Sequence, residues 1–165
     1  LISSTIRLHQ LSSAPPPVDY GVLMLYNTGD FRNLASDRNP ILDPRDVEPY
    51  LKYLKHYRLP LCAAYPCFEW KLLYHDGEFL GILYDVDLDS NTLYQYVDSH
   101  TFRVLIPHDV PVLPGVPDIS FSPGDVVRYW CAGEEVSVVR KMVETQRPEI
   151  NRQTIHFHLS AINKY

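Results

Sequence analysis

Two uninterrupted apolar runs, "YGVLMLYN" (20–27) and "LPLCAAYP" (59–66), restrict the fold of this chain more than any other feature. A strand that alternates apolar and polar residues buries one face. A strand apolar at every position is covered on both, as in a parallel sheet. Between the runs lies a helix with a clear start: Asp43 suits the N-cap, Pro44 the first helical position, and Asp46 and Glu48 the positive end of the helix. Val47, Tyr50, Leu51 and Leu54 recur at i, i+3, i+4, i+7 and turn one face to a core, and Pro60 bars continuation. "NTGD" ends the first run as a turn. Strand, loop, helix and strand over 20–66 make a βαβ unit, which implies a parallel pair with a right-handed crossover.

The flanking segments extend this pattern. "TIRLHQL" (5–11) reads as a strand, and "SSAPPPVD" (12–19) as a stiff connector, because three prolines exclude a helix. The connector is short for a crossover, which takes ~10–12 residues. In "WKLLYHDGEFLGILYD" the pair Asp76-Gly77 separates two apolar segments and predicts a β-hairpin. Residues 86–100 read as loop, while "TFRVLIP" (101–107) and "DVVRYW" (125–130) read as short strands around a Pro- and Gly-rich excursion. A second helix fits 134–147, with Val136, Val139, Met142 and Val143 on one side and Pro148 as its stop. "QTIHFHLS" (153–160) reads as a final strand. The expectation is one α/β domain over 1–165, with 70–130 as a hairpin and short-strand elaboration within it.

Composition narrows the classes of partner. The 165 residues suffice for a domain with its own core, and no apolar run approaches the ~20 residues of a membrane span. Fifteen Lys and Arg against twenty Asp and Glu give a net charge of −5, with no basic stripe, so nucleic acid is not an expected partner. The chain opens at Leu1 without the features of a signal peptide, so a piece of a longer protein is expected. Cys62, Cys67 and Cys131 form no CxxC pair and read as buried thiols. No dinucleotide fingerprint, Walker loop, nucleophile elbow or Cys–His constellation is present, and no cofactor is implied. Aromatic residues make up 12% of the chain and are weighted to Tyr, which suits surfaces apolar on one side and wet on the other.

"TIRLHQL", "PPPVDYGVLMLYNTGD", "NPILDPRDVEPYLKYL", "LPLCAAYPCFEW", "HDGEFLGIL", "SPGDVVRYW" and "IHFHLSAINKY", in that order, resemble an uncharacterised family of bacterial proteins. That family is related to glycoside-hydrolase-like (β/α) barrels and is often described among cell-envelope or lipoprotein components. The resemblance spans nearly the whole chain and includes no catalytic signature. It implies a partial (β/α) barrel, the C-terminal half of a TIM-like barrel, with a β-hairpin elaboration. It also implies a carbohydrate-associated protein of the cell envelope or periplasm, either a glycosidase or a glycan binder. A full barrel takes ~250 residues and eight strands. Four buried strands are counted here, at 5–11, 20–27, 60–66 and 154–160, so a missing N-terminal half or a partner chain would cover the sheet edges.

Barrels of parallel strands keep their chemistry at the carboxyl ends of the strands. That rule selects Gln10, Asn27, Asp30, Glu69, Trp70 and Ser160, with His9, Tyr26 and Tyr65 just beneath. Glu69 and Asp30 are the candidate catalytic carboxylates, since glycoside hydrolysis uses two that lie ~5–9.5 Å apart. The alternative is a pair of solvated loop acids, Asp30 simply stabilising the turn after Gly29. Trp70, with Tyr65 and Phe68, offers either a stacking platform for a sugar ring or a hydrophobic plug beneath the hairpin. Tyr26, Asn27, Gln10 and His9 complete the substrate-binding set. His156 and His158 share one face of a strand and suggest an alternative, a metal-dependent hydrolase with Asp30, Glu69 or His9 as further ligands. A non-catalytic structural or interaction domain is the remaining alternative.

Overall fold

The computed structural model describes residues 1–111 and 114–158; Leu159 and Ser160, at the end of the expected strand 153–160, lie outside the described residues. The strands in the first part of the chain are β1 (Ser3–Ile6), β2 (Tyr20–Met24), β3 (Leu61–Pro66), β4 (Trp70–His75) and β5 (Glu78–Leu83). They are followed by β6 (Tyr94–Asp98), β7 (Thr101–Val104), β8 (His108–Val110), β9 (Ile119–Phe121), β10 (Val126–Trp130) and β11 (Thr154–Phe157). The α-helices are α1 (Pro44–Val47), α2 (Leu51–Leu54) and α3 (Gly133–Gln146). The chain is a mixed α/β protein made mostly of strands, with less helix than a (β/α) barrel carries.

It divides into two compact units. The first comprises Leu1–Gly29, Arg38–Phe68 and the described residues from Ala132 onward; the second comprises Asp30–Asp37 and Glu69–Cys131.

In the first unit β1, β2, β3 and β11 form a parallel sheet in that order. One row of the register runs Ile6, Leu23, Ala63, Thr154, so the two apolar runs pair in parallel as their composition demands. Gly21 permits the close approach of β1 and β2, because a Cβ there would stand 2.7 Å from Ile6 Cγ1 and 2.8 Å from Leu61 Cδ2. The expected strand 5–11 is corrected: β1 ends at Ile6, and Leu8–Ser12 is a 3-10 turn. The backbone N–H of Arg7 donates to Gln10 Oε1 at 2.8 Å, which satisfies an amide freed at the start of the turn. With β1 shorter, residues 7–19 join β1 to β2, enough for a parallel crossover without a full helix.

Asp43 caps α1 as the sequence indicates, its carboxylate accepting from the Arg45 amide at 2.9 Å. Pro49 then divides the helix, since it brings no N–H to the ladder, and Glu48–Tyr50 becomes a 3-10 turn before α2. Val139 and Val143 are the buried residues of α3.

The second unit holds an antiparallel sheet in the order β5-β4-β10-β7-β6, and β8 pairs with β9 in a separate ribbon. Asp76 (φ 48°) and Gly77 (φ 79°) make the tight β4–β5 turn expected of that dipeptide. The stretch 86–100 is not all loop, because β6 lies within it and pairs with β7. One sheet face carries Leu73, Leu83, Val104 and Val127 into a core that also includes Tyr94 and Phe121. On the other face Tyr74 and Arg128 bond the segment 31–37. The Tyr74 hydroxyl donates to the Phe31 carbonyl, and Arg128 Nη1 donates to the carbonyls of Leu34 (2.9 Å) and Ser36 (2.7 Å). The expectation of buried thiols holds only in part: Cys62 is half-buried, whereas Cys67 and Cys131 are exposed.

Candidate binding cleft

The sheet of the first unit ends in a cleft of about 440 Å³ at the carboxyl ends of β1 and β2. The end of a parallel sheet is where the backbone fans into loops, so side chains from separate strands converge there. Arg7 directly follows β1, and Leu8 and His9 belong to the 3-10 turn after it. Met24 closes β2, with Tyr26, Asn27 and Thr28 beyond it, and Asp46 and Tyr50 enter from the broken helix.

Part of this wall is fastened by its own hydrogen bonds. The Thr28 hydroxyl accepts from the Asp43 amide at 3.2 Å and donates to Asp46 Oδ2 at 3.4 Å. Asp46 is ion-paired with Arg38 at 2.5 Å. Burial alone would raise the Asp43 carboxyl; bonds from the Arg45 side chain and amide and from the Asn39 amide outweigh it and hold the group below its ordinary range. The Tyr26 ring stacks on Phe157 with centroids 4.3 Å apart, and burial raises its hydroxyl's pKa against the lowering effect of Arg7. Asn27 has φ 53°, a left-handed conformation that Asn tolerates better than most residues and that brings its side chain to the rim of the cleft.

The other polar groups of the cleft are open. Among the described residues, the Arg7 guanidinium, the His9 imidazole, the Asn27 amide and the Tyr26 and Tyr50 hydroxyls make no hydrogen bond to protein. Three of the sequence-selected residues therefore meet here: His9, Tyr26 and Asn27. Gln10 does not join them, since its side chain is engaged with the Arg7 backbone. Arg7, Thr28, Asp46 and Tyr50 escaped the sequence reading. The expected strand 5–11 puts the end of β1 beyond Arg7, and in sequence Asp46 and Tyr50 read as a helix-dipole partner and a core residue.

The remaining selected residues occupy other environments. Tyr65 is fully buried; its hydroxyl donates to Asn151 Oδ1 at 2.7 Å, and burial pushes its pKa up to about 12. Trp70 is 6% exposed, with Phe31 set edge-on at 5.7 Å. Neither ring presents a face for a sugar, which corrects the stacking platform to core packing. His156 and His158 are exposed, and among the described residues no group of three or more His, Cys, Asp or Glu is placed to hold a metal ion.

Glu69 and Asp30 both belong to the second unit and lie on opposite sides of its sheet. Glu69 accepts from the Tyr129 hydroxyl at 2.5 Å, and Tyr129 pairs in register with Lys71, so these three side chains share one face. They line a groove of about 270 Å³ with Val86, Asp87, Leu88, Asp89 and Phe102. Asp30 begins the segment laid on the face of Tyr74 and Arg128, where its carboxylate accepts from the Arg32 amide at 3.0 Å. Two carboxylates separated by a sheet do not flank one glycosidic bond.

Among the described residues no helix is long and apolar enough to cross a membrane. Comparison with family models, with curated proteins and with solved structures finds no match to this chain.

Proposed function

We propose that the first unit binds a saccharide in the cleft at the carboxyl ends of β1 and β2, and that it binds without cutting. The single observation carrying this reading is the set of five polar side chains, Arg7, His9, Tyr26, Asn27 and Tyr50, that have no hydrogen-bond partner among the described residues and surround one cavity of about 440 Å³. That volume falls within the ~300–1,000 Å³ typical of small-molecule sites. A saccharide asks for convergent hydrogen-bonding groups around its hydroxyls and for aromatic rings against its C–H faces, and tyrosine supplies both. Hydrolysis is the weaker reading, because among the described residues Asp46 is the lone carboxylate of the lining and Arg38 already engages it.

We also read the parallel sheet as an arc of a (β/α) barrel. In its favour, strands β1, β2, β3 and β11 lie side by side in chain order, as successive barrel strands do. The sparse helix weighs against a regular barrel. On this reading the edges at β1 and β11 are completed by further strands or by a partner chain.

An amide NMR titration with a panel of neutral and acidic mono- and disaccharides tests the binding. Shifts are expected at Arg7, His9, Asn27 and Tyr50 and not around Glu69. Asn27→Gly, which keeps the left-handed backbone, and Tyr50→Ala should each weaken binding about tenfold, the loss of roughly one hydrogen bond or ring contact. A panel that leaves the cleft signals unmoved would refute the reading.

A further inference from the structure

We infer that the saccharide of this cleft is acidic and that its carboxylate is received by the Arg7 guanidinium; the inference rests on the saccharide reading above. The argument is one of unspent charge and of donors. Arg7 is exposed and, among the described residues, has no carboxylate within ion-pair distance. The cleft does contain a carboxylate, but Asp46 is committed to Arg38 at 2.5 Å and to the Thr28 hydroxyl at 3.4 Å. The acid of the described lining is therefore already neutralised, and Arg7 gives the cavity a positive balance on a chain whose net charge is −5.

The open groups are also mainly donors. A guanidinium offers five N–H groups in a planar fork, an imidazole at least one, a carboxamide two, and each phenol one. Such a set is matched by a ligand rich in acceptors. The fork geometry fits a carboxylate through two parallel bonds, which a hydroxyl cannot provide. A neutral sugar bound against Arg7 would remove part of its water and return no counter-charge. A uronic-type sugar supplies that charge at the place where the water is lost.

The test compares methyl glucuronide and methyl galacturonide with the corresponding neutral methyl glucoside and galactoside, using the full chain and calorimetry or NMR titration. At least one acidic sugar should bind about tenfold or more tightly than its neutral counterpart, the usual scale of a charge-assisted bidentate contact. Arg7→Gln should erase that preference, the acidic sugar losing more affinity than its neutral counterpart until the two bind alike. Arg7→Lys should restore part of it, because a point charge replaces the fork. Equal binding of acidic and neutral sugars, or a preference that survives in Arg7→Gln, overturns the acidic ligand and leaves the saccharide reading standing. If none of the four sugars moves the cleft signals, both fall.

Discussion

The cleft of the first unit and the groove of the second are lined by similar side chains and are used differently by the protein. Each has a cation, an acid and aromatic rings: Arg7, Asp46, Tyr26 and Tyr50 in one, Lys71, Glu69, Phe102 and Tyr129 in the other. In the groove the polar partners have found each other. Tyr129 donates to Glu69 at 2.5 Å, and the Lys71 ammonium donates to the Val86 carbonyl at 2.6 Å. In the cleft, five polar groups have no protein partner among the described residues. A polar group bonded within the protein contributes to structure, and a ligand must break that bond to use it; an open group meets the ligand at the cost of water alone. Residue type misleads in such a comparison, and pairing decides.

The largest effect should come from Trp70, the aromatic that sequence placed beside Glu69. Trp70→Ala removes a buried indole and should destabilise the protein by about 3–5 kcal/mol in urea unfolding. Tyr50→Ala at the half-buried cleft wall should change stability by under about 1 kcal/mol while weakening saccharide binding. A near-neutral Trp70→Ala would mean that the indole is an accessible platform and not core packing. Gly21→Ala comes next. It drives a Cβ against Ile6 and Leu61 at the amino end of β2, opposite the cleft, and should cost about 1–3 kcal/mol by overpacking. Unchanged stability in the same unfolding assay would show that β1 and β2 can separate without penalty.

A smaller effect is expected in the groove itself. Hydrogen bonding to Glu69, then burial, raises the Tyr129 hydroxyl above the ordinary tyrosine range. A group raised in the folded state contributes stability that is complete below its unfolded value, about 10, and is lost as pH climbs through the folded value. Tyr129→Phe should therefore cost no more than about 1 kcal/mol at neutral pH and leave saccharide affinity unchanged. Difference absorbance should show Tyr129 ionising at lower pH in Glu69→Gln. Loss of saccharide binding in either variant would move the functional site to the second unit.

These contrasts show which parts of the molecule were legible in sequence. Local rules held where the cause is local: the unbroken runs of β2 and β3, the Asp43 cap and the Asp76-Gly77 turn each depend on a few adjacent residues. The errors lie where a distant partner decides. "YQYVD" is too polar to announce a strand, yet β6 exists because β7 offers it a ladder. Pro49 is the local exception: the apolar spacing runs through it and masks the signal, although its missing N–H divides the helix. For the site, the rule of carboxyl ends finds His9, Tyr26 and Asn27 and misses Arg7, because the expected strand runs on to Leu11 whereas β1 ends at Ile6. Nothing in a linear sequence shows that Tyr129 would occupy Glu69 while Tyr50 stays open, and that difference separates structure from site.

The smallest predicted effect extends the same logic to a pair that resembles catalytic machinery. His75 Nδ1 lies 2.5 Å from Asp125 Oδ1, and its Nε2 lies 3.3 Å from Asp76 Oδ2. Asp125 is buried, its other oxygen accepts from the Ser122 amide at 2.9 Å, and its backbone carbonyl accepts from Val104. The dyad is thus tied into the chain on both sides of the hairpin core and works as a fastening. The bond to Asp125, then the charge of Asp76, raises the imidazole above its ordinary value. Because the shift is upward, its stabilisation is complete below about pH 6.5 and fades as pH rises through the raised value. Histidine proton shifts should follow that course in the wild type and return towards the ordinary midpoint in Asp125→Asn, with unfolding midpoints losing the matching pH step. Saccharide affinity should be unaffected by Asp125→Asn, since the pair belongs to the second unit and its groups already bond each other. An affinity that followed the His75 titration would show that a satisfied pair can still take part in binding, against the distinction drawn between groove and cleft.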